Sequence, residues 1–228
     1  DVIVGLNDWE AANRFAVTLG NQDGILLKEL ATIEGSAAHP YFLRHQKFLK
    51  ADQPVCIFVV ARHNLDAALT VTARESRAEV LFRGDRDQAA GLPPAYELTW
   101  NHTTLRALRV DPTITYLQVL YGGPDSVRSV ETMAELFGDE VPGHCEWIRF
   151  DGQLRAAGLP LVRFSTEDRL EEIIRLHEDH GNVIFNPHRY TLEEGGMKQS
   201  DPVQLAFKRE TDPKGLLNPG KMIAWDDP

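Results

Sequence analysis

Apolar and polar positions along this chain follow two periods, and the period changes about every ten residues. Val2–Leu6 is an unbroken apolar run of strand length. Asn7 and Asp8 then offer a helix cap, and Trp9, Ala12, Phe15, Ala16 and Leu19 recur at helical spacing until Gly20 and the polar 21–24 stop them. Residues 25–33 return as a strand, and residues 35–50 read as a surface helix with its lead-in. Val55–Val60 is a strand, Asn64–Leu69 opens a second amphipathic helix, and 78–82 is a fourth strand. The order strand, helix, strand, strand, helix, strand is that of a ferredoxin-like α/β sandwich with an antiparallel sheet.

A polar stretch rich in Gly, Asp and Pro, residues 83–94, marks an internal boundary. A second set of elements follows it. Residues 113–121 form one strong β-branched and aromatic strand. Asp125 or Ser126 caps a helix running through Val130 to Phe137, and residues 145–150 and 159–164 read as strands. Ser165 with Asp168 three places on forms a capping box before Leu170–Leu176, and Val183–Phe185 closes the pattern. The expectation is an α+β fold in which two related halves share one sheet covered by helices. Its parts would be residues 1–88, 89–190 and a C-terminal segment, 191–228.

Hydrophobic content of 43% and charged content of 25% over 228 residues are those of an ordinary globular chain. The net charge of −10 argues against nucleic acid and anionic membrane surfaces as partners. No apolar run reaches membrane-spanning length. Two cysteines, Cys56 in an apolar run and Cys145 beside His144, fit free thiols in a reducing, cytoplasmic compartment. The chain starts at Asp1 directly on a strand, as a piece of a longer protein would.

Candidate chemistry lies in four places. Residues 97–104 pack Trp100, Asn101, His102 and three threonines together, giving an aromatic plane, an amide and an imidazole; the alternative is a capped helix start over a buried Trp. His177 and His180 have the spacing of a metal pair, but no His-Glu-x-x-His accompanies them and a helix end explains both, so no metal is assigned. His188, Arg189 and Tyr190 follow a strand and precede the glycine loop Thr191–Lys198. The tail then carries two turn signals, Asp212-Pro-Lys-Gly215 and Asn218-Pro-Gly-Lys221, either side of Leu216 and Leu217, which are expected to pin them. There is no Gly-x-Gly-x-x-Gly, P-loop or Gly-x-Ser-x-Gly, so the chain carries no phosphate cradle of its own.

The run from Lys208 through Asp-Pro-x-Gly-x-x-Asn-Pro-Gly-Lys resembles the C-terminal signature of FAD-linked oxidases and dehydrogenases of the vanillyl-alcohol oxidase type. Thr191–Lys198 resembles the Gly-Glu-His-Gly-Ile-Gly loop that precedes that signature in glycolate oxidase and D-lactate dehydrogenase relatives, with Glu194 standing in the histidine's place. Residues 7–12 and 25–30 resemble the opening of the cap domain of these enzymes. The resemblance implies the substrate-binding cap portion of an FAD-dependent oxidoreductase, without the FAD-binding half, acting on a 2-hydroxy acid or alcohol. It implies cofactor contact for Asn218, Gly220 and Lys221. The substrate-side candidates are His102 and His188 as proton acceptors, with Trp100, Asn101, Arg189 and Tyr190 as binding groups. The FAD-binding domain, in cis or trans, is the expected partner, and self-association as a homodimer through the face it would cover is a second expectation. The rival is a stand-alone ferredoxin-like binding or assembly module.

Overall fold

The computed structural model describes residues 1–123, 125–195 and 201–226. The first half runs β1 (Val2–Leu6), α1 (Trp9–Gly20), β2 (Leu27–Ile33), α2 (Gly35–Tyr41), β3 (Val55–Val60), α3 (Leu65–Arg74) and β4 (Ala78–Arg83). A connection follows with α4 (Gly84–Asp87), α5 (Asn101–Leu108) and β5 (Ile114–Tyr116). The second half runs β6 (Gln118–Leu120), α6 (Ser126–Phe137), β7 (His144–Phe150), β8 (Gln153–Gly158), β9 (Leu161–Arg163), α7 (Glu167–Asp179) and β10 (Val183–Phe185). The tail holds α8 (Pro202–Thr211) and α9 (Ile223–Asp226).

Eight strands form one antiparallel sheet in the order β10-β6-β8-β7-β2-β3-β1-β4, while β5 and β9 make a separate ribbon. Within each half the order is that of a ferredoxin-like unit, fourth-first-third-second, and the two units meet through their second strands. Ala31, Thr32 and Ile33 of β2 face Glu146, Cys145 and His144 of β7. The expected two-halves-in-one-sheet architecture is therefore observed.

Pleating sends alternate side chains to opposite faces. One face packs Val2, Val4, Cys56, Phe58, Cys145, Trp147 and Val119 against Phe15, Leu19, Ala68, Val130, Phe137 and Ile173 from the four long helices α1, α3, α6 and α7. At the join, the buried Trp147 indole donates to Thr32 Oγ1 (3.0 Å), and that hydroxyl donates to Asn13 Oδ1 (2.7 Å), a polar chain that links β7, β2 and α1 inside this core. The other face of the first half packs Ile3, Ile33, Ile57 and Phe82 against α2, α5 and the Ala95–Leu98 turn.

Several local expectations are corrected. The run 113–121 is split, because buried Leu117 separates β5, which pairs β9, from β6, which pairs β8 and β10. Only Leu161–Arg163 of the strand expected over 159–164 forms one, and the hairpin partner of β7 is Gln153–Gly158, which the pattern left unassigned. Asp151 and Gly152, with φ of 50° and 74°, make the primed turn that an Asp-Gly pair favours between two strands. Thr166, not Ser165, caps α7, accepting from the Arg169 N–H at 3.2 Å. The helix expected across 35–50 ends at Tyr41, beyond Pro40, and its small residues Ala37 and Ala38 are core rather than surface. Cys56 and Cys145 are both free and buried. Among the described residues no helix is long and apolar enough to cross a membrane.

His177 on α7 lies fully buried, stacked on Phe137 with ring centroids 5.2 Å apart, and neither ring nitrogen has a hydrogen-bond partner among the described residues. Burial holds its pKa down at about 4, and His45, buried against Phe82, is held at about 4 for the same reason. In the unfolded chain each ring takes its proton near pH 6.5, in the folded chain only near 4. Their contribution to stability is thus complete above about pH 6.5 and is lost as pH falls toward 4. Glu29, raised to about 7, works in the opposite sense over the same range. His177→Leu is expected to reduce the stability lost between pH 7 and pH 5, in urea unfolding, by about 2 kcal/mol. An unchanged pH slope would refute this account of the buried ring.

Candidate functional site

On the second half of the sheet, the face away from the long helices is only partly covered. His144 and Glu146 of β7 lie under the Ala95–Leu98 turn and the start of α5, and both are fully buried. Beyond them Ile148, Arg155, Ala157, Leu120 and Gln118 are half-buried, and Val183 and Phe185 are exposed. This face is a mixed polar and apolar floor that the chain leaves partly open.

The covering turn is held by one carboxylate. Glu146 Oε1 receives the Trp100 N–H at 2.6 Å and lies 2.7 Å from His144 Nε2. Trp100 sits at φ 52°, ψ −143°, a backbone region that side chains other than glycine's rarely adopt and that costs about 1–3 kcal/mol. Its indole is 49% exposed. The strained residue is thus clamped from below while its ring stays half bare. Thr103 Oγ1 lies 3.4 Å from His144 Nε2 and donates to the Leu98 carbonyl, tying α5 to the same cluster. Glu29 on neighbouring β2 is driven up to about 7, first by burial and then by the nearby Glu146 charge. Glu29 Oε1, Glu146 Oε2 and His144 Nδ1 have no hydrogen-bond partner among the described residues.

Trp100 is half exposed and no side chain caps α5, so the alternative of a buried Trp beneath a side-chain cap is not what forms. Asn101 and His102, in the first turn of α5, are exposed, and their side chains make no hydrogen bond among the described residues. His188 lies elsewhere, against the β5–β6 junction. Its Nε2 is 2.8 Å from the Tyr116 carbonyl and 2.9 Å from Thr115 Oγ1. A carbonyl only accepts, so Nε2 carries the proton and Nδ1 keeps its lone pair. Arg189 is ion-paired with Glu171 of α7.

Tyr190 joins the tail. Its hydroxyl donates to the Pro219 carbonyl (3.2 Å), the Lys221 ammonium sits 3.7 Å above its ring centroid, and Lys221 Nζ donates to its carbonyl (2.9 Å). Both turns form as expected. The Gly215 N–H reaches Asp212 O at 2.9 Å and the Lys221 N–H reaches Asn218 O at 3.3 Å, with Gly220 at φ 71° in the third place. Asp212 is the hub, accepting from the Leu216 and Leu217 N–H groups and from Lys208 Nζ, which together hold its pKa below the usual carboxylate range. The turns are thus pinned by Asp212 and Lys208, not by Leu216 and Leu217, which are 72% and 65% exposed. Glu193 accepts from the Ile223 and Ala224 N–H groups and so caps α9, while Glu194 accepts from Thr191 Oγ1. Gly196 and Lys198 of the glycine loop lie outside the described residues.

Sequence reasoning missed Glu29, His144 and Glu146. The available signal was their position: three ionisable residues in strands whose alternate side chains face a core.

Comparison with family models finds no match, and comparison with curated proteins finds none. Among solved structures the fold is similar to that of alkyldihydroxyacetonephosphate synthase, at 12% identity and a TM-score of 0.55. The match covers 97% of this chain and 44% of the synthase chain, so this chain spans less than half of that structure. At this identity the likeness establishes a shared fold.

Glu146→Ala is expected to cost about 3 kcal/mol in urea unfolding, because it strands the Trp100 N–H and His144 inside the protein. Glu146→Gln, which keeps an acceptor for Trp100, should cost about 1 kcal/mol. Equal losses for the two variants would contradict the clamp.

Proposed function

We propose that this chain is the substrate-binding cap portion of an FAD-dependent oxidoreductase that oxidises a small 2-hydroxy acid or alcohol. The observation that carries the reading is the tail. Ten residues matching the FAD-linked oxidase signature are folded into two hydrogen-bonded turns braced by Asp212, Lys208 and Tyr190, while Leu216, Leu217, Val203 and Phe207 face away from the chain's own core. A braced edge with bare apolar side chains suits a segment that returns to another body, here the FAD-binding part. The fold shared with a synthase chain more than twice as long supports the same arrangement.

The described residues fit one side of a flavin and not its phosphates. They offer a half-bare indole and an open sheet face, and no glycine-rich cradle, so the phosphates would be held outside this chain. When bound, FAD supplies the acceptor for a hydride equivalent. This chain's residues orient the substrate and move its proton. Trp100 and Asn101 position the substrate, and His102, or His188 through Nδ1, takes the hydroxyl proton. Glu29 is a further group able to hold a proton near neutral pH. Arg189 receives a substrate carboxylate by exchanging Glu171 for it. Tyr190 holds the tail in place, and Asn218, Gly220 and Lys221 contact the cofactor's immediate surroundings.

Two measurements test this. Titration of the 228-residue chain with FAD, followed by flavin fluorescence, should show no binding alone and clear binding once the flavin-binding part is co-expressed. Tight binding by the chain alone, or none in either case, overturns the proposal. In the assembled enzyme, alanine variants of both His102 and His188 should slow flavin reduction by about 100-fold. A wild-type rate removes them from the proton path.

A further inference from the structure

Alongside α5, a cavity of about 520 Å³ opens between the segment after α2, the residues 91–93 loop, Glu97 and Leu98, and the last turn of α5. One wall is apolar, made by Phe42, Leu43, Leu92 and Pro93. The rest carries Arg44, Arg106 and Arg109 against one carboxylate, Glu97. Three positive groups less one negative leave +2 on the lining of a chain whose net charge is −10. Such a local reversal of sign concentrates anions.

The arginines differ in what they already hold. Arg106 is committed to Glu97, with 2.8 Å to its carboxylate. Arg44 spends one nitrogen on the Gly91 carbonyl, at 2.6 Å, and thereby fixes the loop that forms one wall. That loop is also closed on itself, by the Gln88 side chain donating to the Leu92 carbonyl at 2.6 Å. Arg109 makes no hydrogen bond or ion pair among the described residues, so a complete planar donor fork faces this side of the molecule. Tyr41 lines the cavity and is 5% exposed, and its hydroxyl has no partner among the described residues. Burial, the largest effect on it, raises its pKa, so the phenol stays a neutral donor.

We infer that this cavity binds an organic anion, a single carboxylate or phosphate group on a compact apolar body, with Arg109, the free donors of Arg44 and the Tyr41 hydroxyl around the oxyanion. The apolar body lies on Phe42, Leu43, Leu92 and Pro93. The volume is within the range of small-molecule sites, and none of the lining residues is one of the groups proposed for the substrate face.

The test is calorimetric titration of this chain, at low salt, with benzoate, phenyl phosphate, neutral benzamide and inorganic phosphate. Benzoate or phenyl phosphate should bind with Kd on the order of 0.1 mM, and the tighter of the two identifies the oxyanion. Benzamide and inorganic phosphate should each bind at least about tenfold more weakly, lacking the charge or the body. Arg109→Ala should weaken the anion about tenfold, and Arg109→Lys should restore part of it, whereas Arg175→Ala on α7 should change nothing. Arg109 is exposed, so its replacement leaves the fold intact. Binding of benzamide as tight as that of the anions, indifference to Arg109→Ala, or no binding of any probe would each overturn the assignment.

Discussion

The pairing of β2 with β7 is the constraint on which everything else rests. Only three residue pairs make it, yet it turns two four-stranded units into one sheet with a continuous core beneath. Thr32 and Trp147 sit on the two sides of that seam and are hydrogen-bonded across it, with Asn13 of α1 closing the chain. Buried hydrogen bonds across the seam fix register as well as position, since slipping one strand by a residue would send Trp147 to the other face. The same register places Glu146 opposite Ala31, and so decides where the Trp100 clamp can exist.

Much of this architecture was legible in the residues. The first half alternates strand-period and helix-period runs clearly enough to yield its element order, and Asp8 and Asp125 cap the helices they precede. The second half was harder for physical reasons. Gln153–Gly158 contains Arg, two Ala and Gly, so its strand character comes from pairing with β7 and not from propensity. Residues 113–121 have the propensity of a single strand, but the bend at Leu117 is imposed by two different partners. The tail's turns were readable because Pro and Gly dictate turn type locally. What holds them was not, because the Asp212 hub depends on Lys208 being one helical turn away and on backbone directions that no spacing rule supplies.

The candidate site shows the same division. Trp100, His188 and Tyr190 were visible as residue types suited to ligands, but no periodicity foretells a Trp at positive φ. That conformation is a tertiary product, maintained by a carboxylate 46 positions later. His144 and Glu146 read as surface residues by composition and are among the most buried groups in the molecule. Tertiary pairing overrides side-chain preference there, under the turn that covers this part of the sheet.

The seam has a further consequence for association between chains. In each ferredoxin-like unit the second strand is an outer strand, open on one side, and an open strand of five or more residues is a template for unwanted pairing with another molecule. Joining the units through these strands conceals both templates at once. The sheet then ends in β10, three residues long, and in β4, which carries Glu79 and Arg83. A short border and a charged one are poor seeds for stacking, so the doubled unit is better protected from aggregation than either half would be alone.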